Sequence, residues 1–218
     1  MTALRFRFHT FDFDGHDIHL RTLKDKQQFL DEDGIAEMLH INSASWSHFG
    51  TVWASAQVLA HLLADYAVDG KRILEIGCGI ALPSMVLNHR HADISATDYH
   101  PQVQAFLDYN TRLNGEKTIT FFLSDWHEDD SDLGTFDLLI GSDILYEEDH
   151  IELLSDFINR HARQSCEVIL VDPGRRHHAR FSKKMQTWGF TCSQSKPLHT
   201  DYLEQPFKGR VLRYCRGQ

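Results

Sequence analysis

Apolar positions along this chain change period in a definite order. From Arg5 to Phe13 and from His16 to Leu23 they alternate with polar ones around Asp14-Gly15, a pair suited to a tight turn, which predicts a β-hairpin. Apolar positions at Phe29, Ile35, Met38 and Leu39 predict a helix, broken or restarted near Gly34. Ala54 to Tyr66 is a clearer amphipathic helix that ends before Asp69-Gly70. From Arg72 onward short apolar runs alternate with helical spacing, placing strands at 73–76, 93–97, 119–123, 136–141 and 167–171. Two more fall at 190–194 and 209–215 with no helix between them, which reads as a hairpin at one edge. Repeated strand–helix alternation builds a parallel, doubly wound sheet with right-handed crossovers. The fold class is therefore α/β, with a hairpin and helical extension over 1–48 and one sheet domain over 49–218. No repeat, low-complexity run or linker interrupts it.

The stretch from Arg72 to Leu87 carries the first chemistry. An apolar strand closes on Glu75, passes through Gly77-Cys78-Gly79, and opens into a helix. The two glycines permit positive φ and let a ligand approach the backbone. A dinucleotide site wants a third glycine three residues after the second, facing a pyrophosphate. Leu82 stands there, followed by Pro83, a good first-turn residue. A nucleoside ligand without phosphates fits better, and S-adenosylmethionine is one. Asp98 ends the second strand about twenty residues beyond this turn, where an acid accepts hydrogen bonds from ribose hydroxyls. The alternative, that it merely starts the helix that Pro101 opens through Val103, Phe106, Leu107 and Asn110, is the weaker reading because the glycines fix the spacing independently. Phe136 to Tyr146 reads as a buried strand breaking at Gly141, with polar groups emerging at the end where ligands bind in open α/β sheets.

Glu75-x-Gly77-x-Gly79 resembles motif I of the class I methyltransferases, and Asp143-Ile-Leu-Tyr146 resembles the D-x-x-Y signature of a methyltransferase-like family that modifies protein lysines. Members of that family act on chaperones, on the electron-transfer flavoprotein β subunit and on related targets. Val52-Trp53 with the helix through Leu59 and Leu62 is similar to the segment before motif I, and Asp125-Trp126 to the motif after the third strand. Asp172-Pro173-Gly174-Arg175 resembles the fifth-strand end of the flavoprotein-lysine branch. The resemblance spans roughly Phe49 to Arg175; the N-terminal part and the Lys196–Phe207 loop match no family pattern. It implies a seven-stranded sheet in the order 3-2-1-4-5-7-6 with the seventh strand antiparallel, and S-adenosylmethionine as methyl donor. It implies donor contacts from Trp53, Glu75, Gly77, Gly79, Asp98, Asp125, Trp126 and Ser142. On the acceptor side, Asp143 is expected to orient the nitrogen and Tyr146 to wall the channel. Other readings stay open: Asp143 could cap a helix before Glu147-Glu148, while Tyr146, Trp126 and Trp53 could be packed rings. Asp172 and Arg175, at the rim, could bind substrate or only fix the turn.

The charge balance bears on the acceptor. With 22 basic and 31 acidic residues the chain carries a formal charge of −9, which disfavours nonspecific attraction to phosphates. The one basic patch, Arg175-Arg176-His177-His178 with Arg180, Lys183 and Lys184, reads first as the solvated face of a helix. Strand four ends in Ser142-Asp143-Ile-Leu-Tyr146 where a base or glutamine methylase would carry Asn-Pro-Pro-Tyr, so an amine acceptor, foremost a protein lysine, is expected. A small molecule or nucleobase as acceptor, or a binding protein without chemistry, are the alternatives. The four cysteines are scattered, fitting reduced thiols in the cytoplasm, and neither a signal core nor a membrane span is apparent. Among the fifteen histidines, His16 and His19, His89 and His91, and His177-His178 form pairs without an obvious third partner, so no metal site is expected.

Overall fold

In the computed structural model, residues 4–32, 34–41, 43–127 and 131–217 are described. An antiparallel hairpin, β1 (Phe6–Phe13) and β2 (His16–Leu23), precedes a one-turn helix α1 (Ile35–Met38), a 3-10 turn (Trp46–Gly50) and α2 (Ala54–Ala64). The alternating part follows: β3 (Arg72–Ile76), α3 (Leu82–His89), β4 (Asp93–Asp98), α4 (Val103–Leu113), β5 (Thr120–Leu123) and β6 (Phe136–Ser142). It closes with α5 (His150–His161), β7 (Ala162–Asp172), α6 (His178–Thr187), β8 (Thr191–Ser195) and β9 (Arg210–Arg216). The large sheet has seven strands in the order β5-β4-β3-β6-β7-β9-β8, with β9 antiparallel to both neighbours. Counted from its own first strand this is 3-2-1-4-5-7-6, the order that the family resemblance implies.

Alternate residues of the central strands point to opposite layers. Ile73, Ala96, Leu138, Ile140, Ile169 and Val171 pack with α2, α3, α4 and the hairpin. Leu74, Ile76, Leu139, Val168 and Leu170 pack with α5 and α6. Both faces are covered, so β3 is apolar apart from Arg72 at its start and Glu75.

Two elements differ from the sequence expectation. β7 begins at Ala162, five residues before the expected strand, because a register shift opposite Phe136 and Leu138 lets the exposed Arg163-Gln164-Ser165 extend the pairing. A polar run of that kind has no apolar alternation to announce it. The helix expected through Phe29 and Leu39 contracts to Ile35–Met38. Asp31 takes the Ala36 and Glu37 amides at 2.9 Å, bending the chain around its carboxylate, and Phe29 instead lies edge-on to Trp46.

The hairpin docks on α4 through two side-chain amides. Asn110 accepts from the Arg21 amide at 2.8 Å and donates to the Arg21 carbonyl at 3.3 Å; Asn114 does the same for His19 at 2.8 and 2.7 Å. Two residues along a strand span about 6.7 Å and four along a helix about 6 Å, so the i,i+4 pair matches alternate residues of β2. The asparagines thus stand in for a missing strand along the β2 edge. Arg21 lies over the Tyr109 ring at 3.6 Å and beside Phe6 and Phe106. Phe13, Ile18, Leu20 and Leu23 join the same buried cluster as Leu59 and Phe106.

Among the described residues no helix is long and apolar enough to cross a membrane, and no group of three or more His, Cys, Asp or Glu is arranged to hold a metal ion. Asn110 is 0 % exposed, so Asn110→Ala strands the Arg21 backbone groups without their partner. The expected loss is about 1–3 kcal/mol of unfolding free energy, read from urea titration.

Candidate active site

The turn after β3 is held by the end of β4. The Cys78 amide donates to the Thr97 carbonyl at 2.9 Å and the Gly79 amide to Asp98 Oδ2 at 2.8 Å. Gly77 and Gly79 have φ of +60° and +51°. A Cβ on Gly77 would come within 2.7 Å of Ile144 Cγ2, and one on Gly79 within 3.1 Å of the Phe49 carbonyl oxygen. Asp98 is 6 % exposed, and its other oxygen accepts from the His100 amide at 2.9 Å. Burial pushes its carboxyl up to about 6, against the opposing pull of those amides. Since α4 starts only at Val103, Asp98 does not cap it.

Glu75, expected among the donor contacts, lies off the cavity wall. It is 1 % exposed and points beneath the turn, where Oε2 accepts from the Ser84 amide at 2.9 Å and from the Ser84 hydroxyl. The cause is the N-terminus of α3: its first amides lack intrahelical partners and draw a carboxyl group. Burial raises the Glu75 carboxyl to about 8, with both Ser84 bonds pulling the other way. Its place in motif I is that of a brace between β3 and α3.

Over the turn lies a cavity of about 410 Å³. Trp53, Gly77, Gly79, Asp98, Trp126, Ser142, Asp143 and Tyr146 all line it. A larger groove, about 850 Å³, continues past Trp126 and Tyr146 along Glu147–Glu152. Asp125 faces that groove and not the cavity, with Oδ1 accepting from the His127 amide at 3.0 Å. Trp126, at φ +70°, is held by Arg160 donating to its carbonyl at 2.9 Å and by an edge contact with His150. Trp53 is half-buried at the start of α2, its ring nitrogen donating to the His48 carbonyl at 3.2 Å. Neither tryptophan is enclosed in the core.

The opposite wall of the cavity is built by the ends of β6 and β7. Asp143 stands at φ +55°, its amide donating to the Val171 carbonyl at 3.0 Å. Its two oxygens accept from Arg175 Nε and one terminal nitrogen at 2.9 and 3.0 Å. α5 begins at His150 with Asp149 as its cap residue, so Asp143 does not serve as that cap. Asp172, 2 % exposed, takes the Gly174 and Arg175 amides at 2.8 Å on one oxygen and so fixes the turn that carries Arg175. Tyr146 packs its ring edge against His150 at 4.5 Å, and burial together with the neighbouring Tyr99 hydroxyl raises its own hydroxyl well above the usual range.

Several wall residues escaped the sequence reading. Tyr99 could have been found, since it directly follows Asp98 at the same strand end. Ser45, His48 and Phe49 come from a 3-10 turn that leaves no periodic signature. The basic patch on α6 is largely matched by acids: Arg180 pairs with Glu148, and Lys184 with Glu152 and, at 3.6 Å, Asp156.

This sheet order, with a glycine turn stitched to a strand-end acid beneath a cavity, is the class I methyltransferase fold. The chain superposes on the S-adenosylmethionine-bound magnesium protoporphyrin IX methyltransferase of Synechocystis with a TM-score of 0.64 at 16% identity, covering 87% of this chain and 100% of that one. A 16S rRNA N2 G1207 methyltransferase from T. thermophilus gives 0.67 at 14% identity, over 99% and 52%. The sequence pattern of the lysine methyltransferase family matches residues 36–188, and the chain belongs to that family. The protein N-lysine methyltransferase METTL21A of Danio rerio is 34% identical over 119 residues, 49% of this chain and 54% of that protein. The electron transfer flavoprotein beta subunit lysine methyltransferase of Xenopus laevis is 26% identical over 132 residues, 59% and 53%. The chain thus matches about half the length of these relatives.

If Glu75 braces β3 against α3, Ser84→Ala removes a hydroxyl donor from a buried carboxyl group. Unfolding free energy is then expected to fall by about 1–3 kcal/mol in urea, with the cavity residues unmoved.

Proposed function

We propose that the chain binds S-adenosylmethionine in the cavity above Gly77 and Gly79 and transfers its methyl group to an amine, foremost a lysine side chain of a protein. The observation that carries this reading is the meeting, in one cavity, of the glycine turn and Asp98 with Asp143 and Tyr146 from the next strand end. The names of the related lysine methyltransferases support it.

The residues present suit this donor. Asp98 has two of its roughly four acceptor positions filled by backbone amides, leaving others for ribose hydroxyls. Gly77 and Gly79 carry no side chain, Ile144 and Phe49 occupying the places a Cβ would take, so the turn presents bare backbone to the cavity. Trp53, Tyr99 and Trp126 offer aromatic faces, and the negative face of an aromatic ring suits a sulfonium. The bound donor supplies an activated methyl group whose leaving thioether is neutral. The chain's own task is alignment and exclusion of water. Asp143 accepts a hydrogen bond from the acceptor nitrogen and so points its lone pair, while Tyr146 walls the approach. An ammonium entering beside a sulfonium is disfavoured, which favours loss of its proton to solvent water before transfer, the neutral thioether then leaving as the methyl–nitrogen bond forms. In the same reading residues 1–48 extend the methyltransferase domain of 49–218 on the acceptor side, because Ser45 and His48 line the cavity and Leu39 to Ile41 the groove.

The decisive experiment supplies tritiated donor and purified protein to a cell extract and asks where label goes. Label that protease releases and nuclease leaves supports the lysine reading; label in RNA or DNA that resists protease overturns it. A second expectation concerns pH. Ribose hydroxyls donate to the ionised form of Asp98, whose carboxyl titrates at about 6. Affinity for S-adenosylhomocysteine should therefore be level above about pH 7 and weaken below about pH 6, by up to tenfold per unit. Calorimetry across that range checks it, and Asp98→Asn should flatten the profile at a lower affinity.

A further inference from the structure

Among the described residues Arg175 is the charged partner of Asp143, and its placement is built rather than incidental. Its guanidinium meets both Asp143 oxygens as a fork, at 2.9 and 3.0 Å, a geometry that fixes a carboxylate in plane as well as in place. The backbone of Arg175 is itself held by Asp172, whose buried carboxyl takes the Gly174 and Arg175 amides, with Gly174 at φ +110°. Asp143 leaves its strand at φ +55°, a conformation costly for a residue with a Cβ, and its amide is tied to the Val171 carbonyl. Backbone and side chain of Asp143 are thus both anchored to the end of β7. An ionised carboxylate has about four acceptor positions, of which the fork takes two.

We infer that Arg175 is the positioning residue for Asp143: the fork holds the carboxylate so that its remaining acceptor positions face the cavity and receive the N–H groups of the incoming amine. Asp172 fixes the turn that sets the fork. The inference rests on the amine-transfer reading above and assigns Arg175 no contact with the donor. A lysine at this position would keep the charge and lose the fork, since an ammonium is a single point donor.

The test compares wild type, Arg175→Ala, Arg175→Lys, Asp143→Asn and the Asp143→Asn/Arg175→Ala pair, each as the full chain. The first readout is the initial rate at which tritiated donor, at saturation, labels the extract protein that wild type labels; the second is S-adenosylhomocysteine affinity by calorimetry. Arg175→Ala and Arg175→Lys should both be slowed about tenfold or more, with affinity held within about threefold. The paired variant should be no slower than the slower single variant, because both changes remove one unit. Millimolar guanidinium chloride should restore part of the rate to Arg175→Ala and none to Asp143→Asn, which a merely structural role would not produce. Unchanged or faster labelling by Arg175→Ala overturns the inference, the latter by showing that Arg175 obstructs Asp143. Loss of ligand affinity, or additive losses in the pair, overturn it as well. Wild type that binds S-adenosylhomocysteine yet labels no protein instead refutes the lysine reading, and this inference falls with it.

Discussion

The contact on which the top of the sheet depends is the hydrogen bond from the Gly79 amide to the Asp98 carboxylate. It ties a turn at left-handed φ, which has no ladder of its own, to the end of the adjacent strand, and the neighbouring Cys78 amide reaches the Thr97 carbonyl alongside it. The carboxylate is buried to do this, and its carboxyl is raised to about 6, the mark of a charge kept in a poorly solvated place. A group held so has acceptor capacity to spare and little water to compete for it. The same burial that costs stability thus leaves a carboxylate at the cavity wall with open acceptor positions. Glu75, one layer below, is also a buried carboxyl, but it spends its bonds on Ser84 and α3 and serves the fold.

The two sides of the cavity are held in different ways. On the glycine side, backbone meets backbone and strand-end carboxylate, so the wall is set by the β3 and β4 register. On the opposite side, side chains do the fixing: Asp172 shapes the turn, Arg175 reaches back, and Asp143 is clamped at the end of β6. A wall made of side chains can be adjusted by substitution without disturbing the sheet. That division suits a fold in which one half of the site meets a common ligand and the other a variable one.

The N-terminal hairpin has a part in this through packing. Its apolar face joins the cluster around α2 and α4, while Asn110 and Asn114 satisfy its outer backbone edge. The chain that leaves the hairpin then turns through Trp46–Gly50, burying Trp46 and bringing Ser45, His48 and Phe49 to the cavity. Phe49 stacks on His100 at 4.1 Å, and burial lowers that histidine to about 4, so a neutral ring completes the floor behind Asp98.

The sheet strands, their order of appearance and the glycine turn were legible in the sequence because each is a local pattern: apolar runs of strand length, helical spacing, and glycines where φ must be positive. Gly77, Gly79 and Asp98 could be located from these patterns since all lie at or just past strand ends, while Asp143 and Tyr146 could be found from their place after the fourth sheet strand together with the resemblance of Asp143-x-x-Tyr146 to a family signature. Sequence alone could not say which way a strand-end side chain turns. Glu75 and Asp98 are both acids beside the same turn and, by the β3–β4 register, on the same face of the sheet, yet Ser84 at the start of α3 takes the carboxyl of one while the other, at the strand end, lines the cavity. The Asp143–Arg175 fork joins positions 32 apart, and the asparagine pairs join positions 89 and 95 apart. Such contacts have no period to read: they exist only once the layers have packed and brought distant donors and acceptors within about 3 Å of each other.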